Sequence, residues 1–248
     1  MWQVAGLLTH SPATQLKNLA SIHVPGVELR SVGGTSILDL EDRQVWELKA
    51  DLDRYGLQAV ALGTDLATGS VEDDYTLDRV YRATEVAGIL GCQRICGYSF
   101  KIPAGHNPDR YKGEVIDRIG KIIQVVARAD MSYLHENAPG YFGDVPTRVL
   151  DLVECFTEDE FSLVFDPISY LQCQVAPLGA AYTQVIGRTS YVRLHLDPGS
   201  KVLEHGKYLD DLLARLRDDS FAGIIALSGL ADVKGGEELS SLAALLSR

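Results

Sequence analysis

Eight short apolar runs alternate with eight segments of helical period, and this alternation restricts the fold more than any other feature of the chain. Gln3 to Thr9, Gly26 to Arg30, Leu57 to Gly63 and Arg94 to Phe100 are the first four runs. The helices predicted after them run to about Ile22, over Leu40 to Tyr55, over about Asp74 to Leu90 and over Asp109 to Ala129. Val45, Leu48, Leu52 and Tyr55 share one face at helical spacing, as do Leu77, Val80, Ala87 and Leu90. Met131 to Pro167 then reads as strand, loop, helix, loop, strand. A helix near Ala176 to Ile186, a strand Ser190 to His195, a helix Lys207 to Arg217, a strand Gly223 to Leu227 and a helix Glu237 to Ser247 complete the series.

Strands separated by whole helices pair in parallel, because parallel neighbours need a long crossover. Eight such units in 248 residues fit a single (β/α)8 TIM barrel spanning residues 1–248. An open doubly wound sheet is the alternative. It would leave edges, and it usually carries a Gly-rich phosphate turn after its first strand, which HSPAT is not.

Composition narrows the partners. The net charge of −11, from 34 acids against 23 bases with no basic cluster, argues against nucleic acid. No apolar run reaches the roughly 18 residues a membrane span requires, and the start of the chain lacks a secretory pattern. Cys92, Cys96, Cys155 and Cys173 form no C-x-x-C pair, so reduced thiols in a cytoplasmic protein are expected.

The two strands inside Met131 to Pro167 each end in a carboxylate, Glu136 after MSYLH and Asp166 after FSLVF. In a parallel barrel both acids share the end where ligands bind. Alternation puts Arg193 and His195 on one side of their strand and turns His135 away from Glu136. Arg30, Cys96, Lys101 and His10 stand at or near other strand ends and are candidate substrate contacts. Glu28 and Arg30 are also placed to form a buried ion pair, and Tyr141 and Phe142 to wall a pocket.

The segments HENAPGYFGDVPTRVLDLVE, LVFDPISYLQC and GVELRSVGGTSILDL resemble the xylose isomerase-like barrel superfamily of sugar isomerases and epimerases, which also includes family 2 AP endonucleases. The resemblance covers most of the chain. It implies a divalent metal (Mn, Mg, Co or Zn) at the barrel mouth, held by Glu, Asp, His and Glu of successive strands. Glu136 and Asp166 match the first two positions. Arg193 stands at the third, with His195 two residues on, and Ser228 at the fourth; Ser169 and Cys96 replace other polar positions of the pattern.

The degenerate pattern leaves two chemistries open. Glu136, Asp166 and His195 could hold an ion as an incomplete set, or the Arg193 guanidinium could replace the ion, so that no cofactor is needed. The expected activity is isomerase, epimerase or dehydratase chemistry by proton transfer on a small polyhydroxylated or keto substrate. Glu136 would act as base, with Arg193 or His195 as electrophilic partner. The alternative is a non-catalytic barrel that binds a ligand or partner subunit. The resemblance also implies a homodimer.

Overall fold

The computed structural model describes residues 2–8, 12–195 and 206–228. Eight parallel strands close into a barrel: β1 (Gln3–Leu8), β2 (Gly26–Leu29), β3 (Gln58–Gly63), β4 (Arg94–Gly97), β5 (Ser132–Glu136), β6 (Phe161–Phe165), β7 (Thr189–His195) and β8 (Ile224–Ser228). Closure is direct, with β8 paired to β1 from Gln3↔Ile224 to Gly6↔Leu227. The helices are α1 (Pro12–Ser21), α2 (Asp42–Tyr55), α3 (Asp78–Leu90), α4 (Lys112–Arg128), α5 (Pro146–Val153), α6 (Pro167–Gln172), α7 (Tyr182–Val185) and α8 (Gly206–Asp218). The expected (β/α)8 barrel is therefore the fold. Among the described residues no helix is long and apolar enough to cross a membrane.

Strand alternation divides the core into two layers. Phe161, Leu163 and Phe165 of β6 belong to the helix-facing layer, where Phe165 packs against Tyr170 of α6 and Tyr182 of α7. Val164, between them, joins an interior cluster with Ala5, Val60, Ala61, Cys96, Leu134, Tyr191, Ile224 and Ala226. Several of these interior side chains are small. They leave room above them, toward the strands' C-terminal ends, for long charged side chains to cross the barrel.

Gly56 and Gly91 close α2 and α3 at φ 66° and 68°, the left-handed geometry their positions imply. Several boundaries differ from expectation. β4 ends at Gly97 because Tyr98 and Phe100 donate their N–H groups to Leu66 and Ala67, in the loop after β3. The helix expected over Ala176 to Ile186 is broken: non-helical Gly179 splits it into a wide turn, α7 and a 3-10 turn. α6 is an addition, and it starts because Asp166 Oδ1 accepts hydrogen bonds from the N–H groups of Ile168 and Ser169. The helix expected at Glu237 to Ser247 and candidate His10 lie outside the described residues.

His135 faces the helix layer, 1% exposed, with Nε2 3.0 Å from Ser99 Oγ and its ring against Phe161. Burial pushes its pKa down from 6.5 to about 4. A base with a depressed folded-state pKa contributes stability that is complete above pH 6.5 and is lost as pH falls toward 4. The loss amounts to about 3 kcal/mol, at 1.36 kcal/mol per unit. Chemical unfolding of the protein at pH 7 and pH 4.5 should show this acid limb, and His135→Asn should flatten it. An unchanged slope in the variant would assign the limb to other groups.

Candidate active site

Every second residue near the strand ends points into the barrel, and the chain places polar groups at those positions on β2 and on the four consecutive strands β5 to β8. β2 carries Glu28 and is followed by Arg30; β5 ends in Glu136; Asp166 follows β6; β7 carries Tyr191, Arg193 and His195; β8 ends in Ser228. They assemble in two tiers.

The lower tier is a buried ion cluster centred on Glu28, which is 0% exposed. Arg193 clasps it from across the barrel, Nη2 to Oε1 at 2.9 Å and Nε to Oε2 at 3.4 Å. Tyr191 Oη donates to Oε2 at 2.7 Å, and Arg30 Nε donates to Oε1 at 2.8 Å. Glu136 closes the ring: Arg193 Nη1 lies 2.6 Å from Oε1 and Arg30 Nη2 bonds Oε2 at 2.5 Å. Burial works against ionising Glu136, but the Arg193 and Arg30 charges outweigh it and hold the carboxyl down at about 2. Burial raises the Tyr191 hydroxyl and the Cys96 thiol well above their ordinary values, with Glu28 adding to it. Both groups therefore stay protonated.

Arg30 reaches this position because Gly63 faces it. A Cβ on Gly63 would stand 2.3 Å from Arg30 Cγ and 2.6 Å from Nε. Gly63→Ala is expected to displace the guanidinium from Glu28 and to destabilise the fold by about 1–3 kcal/mol, the range for overpacking. Thermal melting checks this, and an unchanged midpoint would mean that Arg30 has another low-energy course.

The upper tier lies at the mouth. Asp166 is 3% exposed and uses its two oxygens separately, Oδ1 to start α6 and Oδ2 to bind His195 Nε2 at 2.8 Å. His195 Nδ1 lies 3.1 Å from Ser228 Oγ. The imidazole side chain is 26% exposed, the most open of the three. Tyr98 stacks on Tyr141 with centroids 4.9 Å apart, and Lys101 Nζ sits 5.7 Å above the Tyr141 ring. Burial and the Glu136 charge push the Tyr98 hydroxyl up to about 12, against the lowering effect of Arg30.

Glu136, Asp166, Arg193, His195 and Arg30 thus converge as the sequence predicts, and Lys101 lies at the rim. Cys96 does not reach the mouth. It is 0% exposed in the interior cluster, which corrects its reading as a substrate contact: the charged tier above it fills the space. Phe142, likewise 0% exposed, belongs to the helix-facing core. Glu28 as the hub, Tyr191, Tyr98 and the Ser228 contact were not predicted as site features. Their signal was parity alone, since Glu28 and Tyr191 stand two residues before Arg30 and Arg193.

Among the described residues, the side chains at the mouth do not fit a divalent ion. Among the described residues no three His, Cys, Asp or Glu side chains converge as ligands. Both oxygens of Glu136 face guanidinium groups, and Arg193 Nη1, 4.0 Å from Asp166 Oδ2, sets a fixed positive charge between the two carboxylates.

Comparison with known proteins identifies the architecture. No curated protein matches the sequence. Among solved structures, the probable 3-DHS dehydratase AsbF involved in petrobactin synthesis from Bacillus anthracis superposes with a TM-score of 0.72 at 14% identity, covering 100% of this chain and 99% of that one. The 3-keto-D-glucoside 4-epimerase YcjR from E. coli gives 0.71 at 15%, covering 99% and 98%. An AP endonuclease of family 2 from Brucella melitensis gives 0.72 at 17%, covering 100% and 98%. Identities this low establish a common fold. Residues 16–237 match the sequence profile of the xylose isomerase-like TIM barrel, and the chain belongs to that family.

Proposed function

We propose that the protein is an enzyme of the sugar isomerase, epimerase or related dehydratase type that moves a proton on a small polyhydroxylated or keto substrate without a metal ion. The observation that carries this reading is His195, a ring open to the mouth and oriented by Asp166 at 2.8 Å. Taking a proton from a carbon next to a carbonyl needs a base within reach and a positive group near the developing oxyanion. His195 serves as the base. Arg30, whose side chain is 24% exposed, supplies the positive charge at the mouth, with Arg193 behind it.

Glu136 supports this arrangement and does not itself react. A carboxyl held at about 2 has little proton affinity near neutral pH, and both of its oxygens are engaged by arginines. The base role therefore moves from Glu136, the residue favoured by sequence, to His195. The epimerase and dehydratase neighbours supply the substrate class by analogy of fold.

The test is proton exchange in D2O, followed by NMR across a panel of ketoses, keto-glycosides and other small hydroxy ketones. Deuterium incorporation is expected at one carbon of an accepted compound, and it should survive dialysis against EDTA. Exchange that requires an added divalent ion would overturn the metal-independent chemistry. Tight binding of panel members with no exchange would replace the enzyme by a non-catalytic binding barrel.

A further inference from the structure

We propose that Ser228 is an activated nucleophile and that the mouth cleaves small neutral esters through an Asp166–His195–Ser228 relay. The three residues stand at the ends of three adjacent strands. His195 and Ser228 are direct partners in the β7–β8 register, and Asp166 follows β6, which pairs with β7. The barrel itself therefore fixes their separations: 2.8 Å from Asp166 Oδ2 to His195 Nε2, and 3.1 Å from His195 Nδ1 to Ser228 Oγ.

The carboxylate only accepts, so Nε2 carries the hydrogen and the lone pair of neutral His195 lies on Nδ1, facing the serine. Serine hydrolases use the same three groups with the two ring nitrogens exchanged. Either nitrogen serves as base, so the exchange preserves the chemistry. Ser228 is 6% exposed and lies beside the more open imidazole at the mouth.

In the reaction, Ser228 Oγ bonds to the acyl carbon while its proton passes to His195 Nδ1. The carbon–alkoxide bond then breaks, and the proton leaves with the alcohol. Water next gives a proton to Nδ1 and adds to the acyl carbon; the acid departs and Ser228 recovers its proton. The sum is ester plus water to acid plus alcohol, with no redox change. The surrounding charges suit a neutral ester, because the carboxylates of Glu28, Glu136 and Asp166 are matched by the guanidiniums of Arg30 and Arg193 and the Lys101 ammonium at the rim.

This activity shares His195 and Asp166 with the proton-transfer reading but is tested without any sugar. The whole protein is incubated with an alkyl fluorophosphonate, on which serine attacks phosphorus and displaces fluoride. Intact mass and peptide mapping follow the product. One adduct on Ser228 is expected, with none on Ser228→Ala and labelling slowed at least about 100-fold in His195→Gln. Circular dichroism confirms that both variants fold. No adduct, or one that persists in Ser228→Ala, overturns the proposal and leaves the sugar chemistry standing. A labelled protein that exchanges no deuterium on the sugar panel removes the sugar chemistry alone.

Discussion

Glu28→Gln is expected to lower the stability of the fold by about 3–5 kcal/mol, the cost of breaking a buried ion pair from one side. Glutamine keeps the volume and one acceptor oxygen, so the loss measures charge and not a cavity. Two guanidiniums would then face each other across the barrel with Glu136 as the one anion they still share, and Arg193 is only 2% exposed. At 2–4 °C per kcal/mol for a chain of this size, the melting midpoint should fall by about 6–20 °C. Adding Arg193→Met should recover part of the loss, because burying both charges had a desolvation cost of its own. A midpoint within 2 °C of the parent in the single variant would show that water or a side-chain shift relieves Arg193, and that Glu28 is not the hub.

The second large effect belongs to His195. In His195→Gln, deuterium exchange on an accepted substrate should fall by about 10²–10⁴-fold, the usual worth of general acid–base catalysis. The melting midpoint should barely move, because the ring is 26% exposed and its main partner, Asp166, keeps its bond to α6. Asp166→Asn should also slow exchange, since it removes the charge that fixes the Nε2–H form and stabilises the imidazolium. It should add a modest loss of stability, about 1 kcal/mol, where the α6 cap weakens. If Glu136→Gln abolished exchange while His195→Gln left it intact, the proton would belong to Glu136 after all.

The sequence by itself determined the barrel and half of its mouth. Hydrophobic period is a local property. Apolar runs of strand length separated by amphipathic helices leave few packings, and closure places all eight strand ends on one rim. The same logic located Glu136 and Asp166, put Arg193 and His195 on one side of β7, and turned His135 away. The resemblance then implied that Arg193 and Ser228 stand where a metal site would carry ligands.

What the tertiary structure decided is who meets whom across that rim. Parity states that Glu28 points inward, but its bonds to Arg193 join residues 165 positions apart. Which inward side chains touch depends on barrel closure and strand stagger, and on the small residues that leave room to cross. The division of Asp166 between a helix start and a histidine is equally invisible in sequence, since one oxygen answers a local backbone and the other a distant strand. Local chemistry wrote the barrel, and only its closure made an ion cluster below and an Asp166–His195–Ser228 chain above.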